Sequence, residues 1–100
     1  MDDRMSNEPL EYLCRGILAL ENVEECRFFL EDLCTPSELS EISRRLQAAK
    51  MLHEGYIYSD IAEKTGLSTA TISRVNRCLK YGSDGYLKVL ERLERAERRR

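Results

Sequence analysis

Residues 58 to 77, Tyr-Ser-Asp-Ile-Ala-Glu-Lys-Thr-Gly-Leu-Ser-Thr-Ala-Thr-Ile-Ser-Arg-Val-Asn-Arg, restrict the possible folds of this chain more than any other stretch. Their apolar, small and glycine positions are spaced as two short helices that meet at a sharp turn. On the first helix Ile61, Ala62 and Thr65 face inward, and Ala62 stands where a steep helix crossing leaves no room for a larger side chain. Gly66 supplies the left-handed backbone angle that other residues adopt only under strain. Leu67, Ile72 and Val75 then plug the second helix onto the first, and Ser68 or Thr69 caps its start.

The rest of the sequence reads as further helices around this hairpin. Pro9 suits a first helical turn, and Leu10, Leu13, Cys14, Ile17, Leu18 and Leu20 follow it as a wide apolar arc ending near Asn22. Val23, Cys26, Phe29, Leu30 and Leu33, with Phe28 beside them, make a second short stripe. Residues 8 to 34 thus carry more apolar surface than one small core needs, and a second copy of the chain is expected to cover part of it.

Thr35-Pro36-Ser37-Glu38 is a capping box with proline at the first helical position, and it opens a long central helix over residues 35 to 55. Leu39, Ile42, Leu46, Ala49 and Leu52 run down one face of that helix until Gly55 stops it. The two motif helices come next, at 59 to 65 and 69 to 80 within a helix-turn-helix spanning 58 to 80. Tyr81-Gly82-Ser83-Asp84-Gly85 is turn chemistry. Tyr86, Leu87, Leu90 and Leu93 stripe a last helix over 84 to 97, its outer face offering Glu91 with Arg95 and Glu94 with Arg98. No strand pattern occurs, and residues 1 to 8 and 97 to 100 are expected to fray. The whole reads as one all-α domain of 100 residues.

Net charge is only −2, yet residues 1 to 41 hold eleven acids against three arginines (−8), and residues 42 to 100 hold seven acids against thirteen Lys and Arg (+6). The basic half contains the hairpin, as contact with phosphates requires. There is no apolar run near the ~18 residues of a membrane span and no secretory leader pattern, so a cytoplasmic location is expected. Cys14, Cys26, Cys34 and Cys78 lie 12, 8 and 44 residues apart with His53 as the single histidine, a spacing that offers no close ligand pair. They are expected to be reduced, half-buried thiols, and no metal or cofactor is expected. With no nucleophile near a base, no paired carboxylates and no phosphate loop, the chain does not read as an enzyme.

If Ile72, Val75 and Leu79 bury one stripe of the second motif helix, the opposite stripe exposes Thr69, Ala70, Ser73, Arg74 and Arg77. Such a stripe fits a major groove of duplex DNA, with Ser68, Thr69, Ala70 and Ser73 near base edges. Phosphate contacts then fall to Tyr58, Ser59, Lys64, Arg77 and Lys80. A different reading remains open: a dimeric helical module that meets a protein partner through the same basic face.

Thr35-Pro36-x-Glu38, Arg44-Arg45, the Gly55 stop and Ala70-Thr71-Ile72-Ser73-Arg74 together resemble the Trp repressor superfamily, most closely its YerC/YecD branch of small TrpR-like regulators. The resemblance spans about residues 10 to 95, with Cys34 to Lys80 the specific part. It implies a six-helix fold intertwined with its twin as a homodimer, with two motif helices facing successive major grooves of a near-palindromic site. Thr71 and Arg74 are counted with the DNA-contacting residues, Arg74 for a phosphate. It also implies that Arg45 and Arg74 match the arginines that sandwich the tryptophan corepressor. The glycine that leaves space for the indole is matched by Val75, and a serine of that pocket by Cys78. Extra methyl carbons where a planar ring must stack argue against tryptophan sensing. The expectation is a sequence-specific DNA-binding regulator acting as a repressor and not responsive to tryptophan, with the need for any other effector left open by the sequence.

Overall fold

The computed structural model describes the backbone of residues 3 to 99 and the side chains of 7 to 99, and the described backbone is helical with no strand. Six helices stand in order: α1 (Asp3–Leu18), α2 (Val23–Leu33), α3 (Pro36–His53), α4 (Tyr58–Thr65), α5 (Thr69–Tyr81) and α6 (Gly85–Arg98). They fall into two compact units, residues 1 to 39 and residues 40 to 100.

In the first unit α1 starts at Asp3, so Pro9 lies inside the helix and not in its first turn, and the expected fraying of residues 3 to 8 is corrected. The fraying expected of residues 1, 2 and 100 lies outside the described residues. Proline inside α1 withholds one backbone donor. The helix also stops at Leu18, short of the expected Asn22. Asn22 instead caps α2, its Oδ1 accepting the Glu25 N–H at 2.8 Å, while the Glu25 carboxylate accepts the Glu21 N–H at 2.9 Å. Gly16 of α1 lets the Phe29 ring of α2 come within 4.0 Å of where a Cβ would stand. No side chain of α2 is fully buried, and Leu18 and Val23 are 83% and 86% exposed. The apolar surplus expected from the sequence is therefore present as open surface.

The capping box forms as the sequence predicts. Thr35 Oγ1 accepts the Glu38 N–H at 3.1 Å, and the Glu38 carboxylate accepts the Thr35 N–H at 2.9 Å. At its other end α3 closes in a Schellman turn, with Gly55 at φ +92°, the Tyr56 N–H donating to the Met51 carbonyl at 3.0 Å and the Gly55 N–H to that of Leu52 at 3.1 Å.

The second unit has two buried clusters. Ala48, Ile61, Leu67 and Ile72 make one, with Met51, Leu52, Tyr58 and Ala62 packed around it. Ala49, Val75 and Leu90 make the other, with Leu52, Leu79 and Tyr86 against it. Two expectations need correction. Val75 holds α5 to α3 and α6 and not to the first motif helix, and the buried face of α3 is the Ala48–Ala49 pair, while Ile42 and Leu46 stay exposed. The wide stripe on α3 is legible by periodicity, but periodicity does not say which part of a stripe meets its own chain. At the end of the chain Glu97 and Arg98 remain helical in α6 instead of fraying. Of the two pairs on α6, Glu94 and Arg98 approach to 4.0 Å, an exposed contact of little energetic weight.

The Thr35 backbone N–H, and next to it the Thr35 hydroxyl, hold the Glu38 carboxyl below its ordinary value. A carboxyl whose pKa is lowered by folding stabilises the fold above its unfolded value, about 4.3, and that contribution is lost as pH falls through the lowered folded value. In thermal unfolding across pH, wild type is expected to exceed Glu38→Gln by a constant margin at neutral pH, the margin closing only in the acid limb below about pH 4.3. Parallel curves down to the acid limit would rule out this contribution.

Candidate nucleic-acid interface

The hairpin is fixed from inside by Ile61 and Ile72, both fully buried. At the turn, Gly66 takes φ +75° and its N–H donates to the Ala62 carbonyl at 2.8 Å, ending α4. Buried Thr65 organises the chain on both sides of that glycine: its hydroxyl donates to the Ile61 carbonyl at 2.7 Å and accepts the Leu67 N–H at 3.2 Å. A buried hydroxyl left unpaired costs about 1–3 kcal/mol, so these two bonds are what permit a threonine in the core. The sequence places Thr65 inward but does not announce its bonding; a hydroxyl residue directly before a turn glycine is the available signal.

Ser68 caps α5 by accepting the Thr71 N–H at 3.1 Å, and donates its own proton to Thr71 Oγ1, also at 3.1 Å. The hydroxyls of Ser68 and Thr71 are thus turned toward each other. Thr69, Ala70, Ser73, Arg74 and Arg77 are exposed on α5, while Ile72 and Val75 are buried and Leu79 half-buried. A polar, cationic stripe of short side chains therefore runs down the side of α5 away from its apolar anchors. Ser59 and Lys64 on α4 and Lys80 at the end of α5 are exposed as well. Tyr58 is half-buried and packs against the first cluster, so its ring serves the core.

Arg45, Arg74, Val75 and Cys78 stand in separate settings. Val75 is 2% exposed within its cluster, whereas Arg74 and Cys78 face outward. Arg45 is 32% exposed and its Nη2 donates to Glu41 at 2.9 Å, with its Nε buried and without a hydrogen-bond partner. A cleft of about 250 Å³ lies between α3 and α6, over Leu90 and beside Lys50, His53 and Glu94, and it is lined by none of Arg45, Arg74, Val75 and Cys78. The four cysteines are free thiols, Cys26 and Cys34 half-buried as expected but Cys14 and Cys78 exposed. Among the described residues no three His, Cys, Asp or Glu side chains gather as a metal site, and no helix is long and apolar enough to cross a membrane.

Gly66→Ala tests the turn on which the stripe's presentation depends. A Cβ there meets only Arg44 Nη1, at 3.9 Å, so the cost comes from the left-handed backbone and not from crowding. Denaturant unfolding is expected to show a loss of about 1–2 kcal/mol, with helicity retained; no loss would mean that the turn angle is not constrained.

Comparison with known proteins agrees with this arrangement. The family model described as Trp repressor protein matches residues 8–94. YerC of Bacillus subtilis strain 168, an uncharacterized protein, is 46% identical over 95 residues, which are 95% of this chain and 91% of YerC. The crystal structure of a TrpR-like protein from Eubacterium eligens superposes with a TM-score of 0.85 at 50% identity, covering 93% of this chain and 96% of that one. A candidate Trp repressor from Staphylococcus aureus gives a TM-score of 0.84 at 47% identity, with 92% of each chain covered. With the helical hairpin in place and the family model spanning most of its length, this chain belongs to the Trp repressor family.

Proposed function

We propose that the protein is a sequence-specific DNA-binding transcriptional regulator, a repressor that binds a near-palindromic operator as a homodimer. The observation that carries this reading is the two-sided character of α5: Ile72 and Val75 anchor one side in two clusters, and Thr69, Ala70, Ser73, Arg74 and Arg77 stand exposed on the rest. The helix N-terminus enters the major groove, where the hydroxyls of Thr69 and Ser73 and the methyl of Ala70 meet base edges. Ser68 and Thr71, whose hydroxyls serve the cap, shape this end of the helix. Ser59, Lys64, Arg77 and Lys80 hold phosphates, with Arg74 beside them.

The open apolar faces of α1 and α2 support the dimer, since Leu18, Val23, Phe28 and Leu33 gain from burial against a second copy. Two reading helices then face half-sites about 34 Å apart, one turn of duplex. Binding needs no tryptophan or other effector. Val75 already fills the space beside α5 with hydrocarbon from within, and Arg45 is engaged with Glu41.

Genomic-fragment selection with the purified protein and no added small molecule, at near-physiological salt, tests the reading. One near-palindromic site is expected to be enriched. Arg77→Ala should weaken binding about equally on all sequences, whereas Ser73→Ala should relax base preference at one position of each half-site. Failure of the folded dimer to enrich any site, with binding restored by a small molecule, would contradict effector independence; failure under both conditions would favour a protein-interaction module.

A further inference from the structure

The motif's cationic surface has a contributor from outside the motif. Arg44, on α3, brings its guanidinium to the α4–α5 turn: Nη1 lies 3.9 Å from the position a Cβ on Gly66 would occupy. Its side chain is exposed. The ion pairs among the described residues join Arg27 with Glu31, Arg45 with Glu41 and Arg98 with Glu94, so the charge of Arg44 is not offset by a carboxylate while that of the adjacent Arg45 is. The first turn of α5, directly beyond Gly66, carries no acidic residue that could draw the guanidinium back.

We propose that Arg44 is a positioning residue for DNA, holding a backbone phosphate at the edge of the groove that α5 enters; the proposal rests on the DNA-binding reading above. The turn immediately precedes the end of α5 assigned to base edges, and what flanks a base edge in duplex DNA is sugar and phosphate. A guanidinium matches phosphate in charge and in its forked geometry, and one with no carboxylate partner gives up no ion pair when it makes the contact. Gly66 itself adds no side chain on the side of the turn that the guanidinium approaches. Arg44 thus ties the rigid central helix to the same DNA strand as the reading helix, fixing the angle at which α5 enters.

The test is the salt dependence of binding for wild type, Arg44→Gln and Arg44→Lys on the selected site and on unrelated duplex, together with melting curves of the free proteins. Arg44→Gln is expected to bind several-fold more weakly on both duplexes, and its log K against log salt should be shallower by about 0.9 per engaged protomer. Arg44→Lys keeps the point charge and should keep the slope. The melting temperatures of all three should agree, since an exposed, unpaired side chain is being changed. An unchanged slope for Arg44→Gln, with wild type binding normally, overturns the assignment and leaves the DNA-binding reading standing. A lowered melting temperature with an unchanged slope would make Arg44 a cap on the α4 carbonyls instead. No binding by wild type on any duplex would remove both.

Discussion

The second unit depends on one constraint, the two fully buried alanines Ala48 and Ala49 side by side on α3. Consecutive helical residues point about 100° apart, so the pair addresses two directions at once. Ala48 receives Ile61, Leu67 and Ile72, which is the hairpin, and Ala49 receives Val75 and Leu90, which ties α5 to α6. Only small side chains let the motif helices approach α3 closely enough for a buried isoleucine to meet neighbours on every side. A residue of ordinary size at either position would overpack the site, at about 1–3 kcal/mol and with α5 displaced.

From that anchoring the functional surface arises with little extra machinery. A helix held on one side by Ile72 in one cluster and Val75 in another can neither roll nor slide without opening a cavity, so its outer stripe is presented at a fixed angle. Thr65 and Gly66 fix where α5 begins, and Ser68 fixes its first turn. In the proposed mode of binding, short side chains suffice for reading because the backbone that carries them is rigid, and the exposed cations on α3, α4 and α5 would supply the phosphate attraction that short side chains lack.

Local chemistry determines which features can be read from the sequence. The Thr35–Glu38 box, the Gly55 and Gly66 stops and the Ser68 cap each depend on a few neighbouring residues, and each is found where the spacing puts it. The inward places of Ile61, Thr65 and Ile72 are legible because six positional demands of a helical hairpin coincide there. Three-dimensional partners are less legible. That Val75 packs on Leu90, that Ala48 is buried while Ile42 is not, and that Arg44 rather than Arg45 keeps a free guanidinium beside the turn all depend on elements far apart in the chain. Pro9 misleads for a different reason: proline is favoured in a first turn, whereas α1 carries it in its interior.

Whether α5 reads DNA in the major groove is tested most directly by hydroxyl-radical footprinting of the bound protein on a selected fragment, paired with methylation interference at guanine N7. Groove entry by α5 predicts backbone protection flanking two major-groove segments about one helical turn, roughly 10 base pairs, apart, with N7 methylation inside those segments blocking binding. Protection without N7 interference, or interference confined to minor-groove positions, would contradict it.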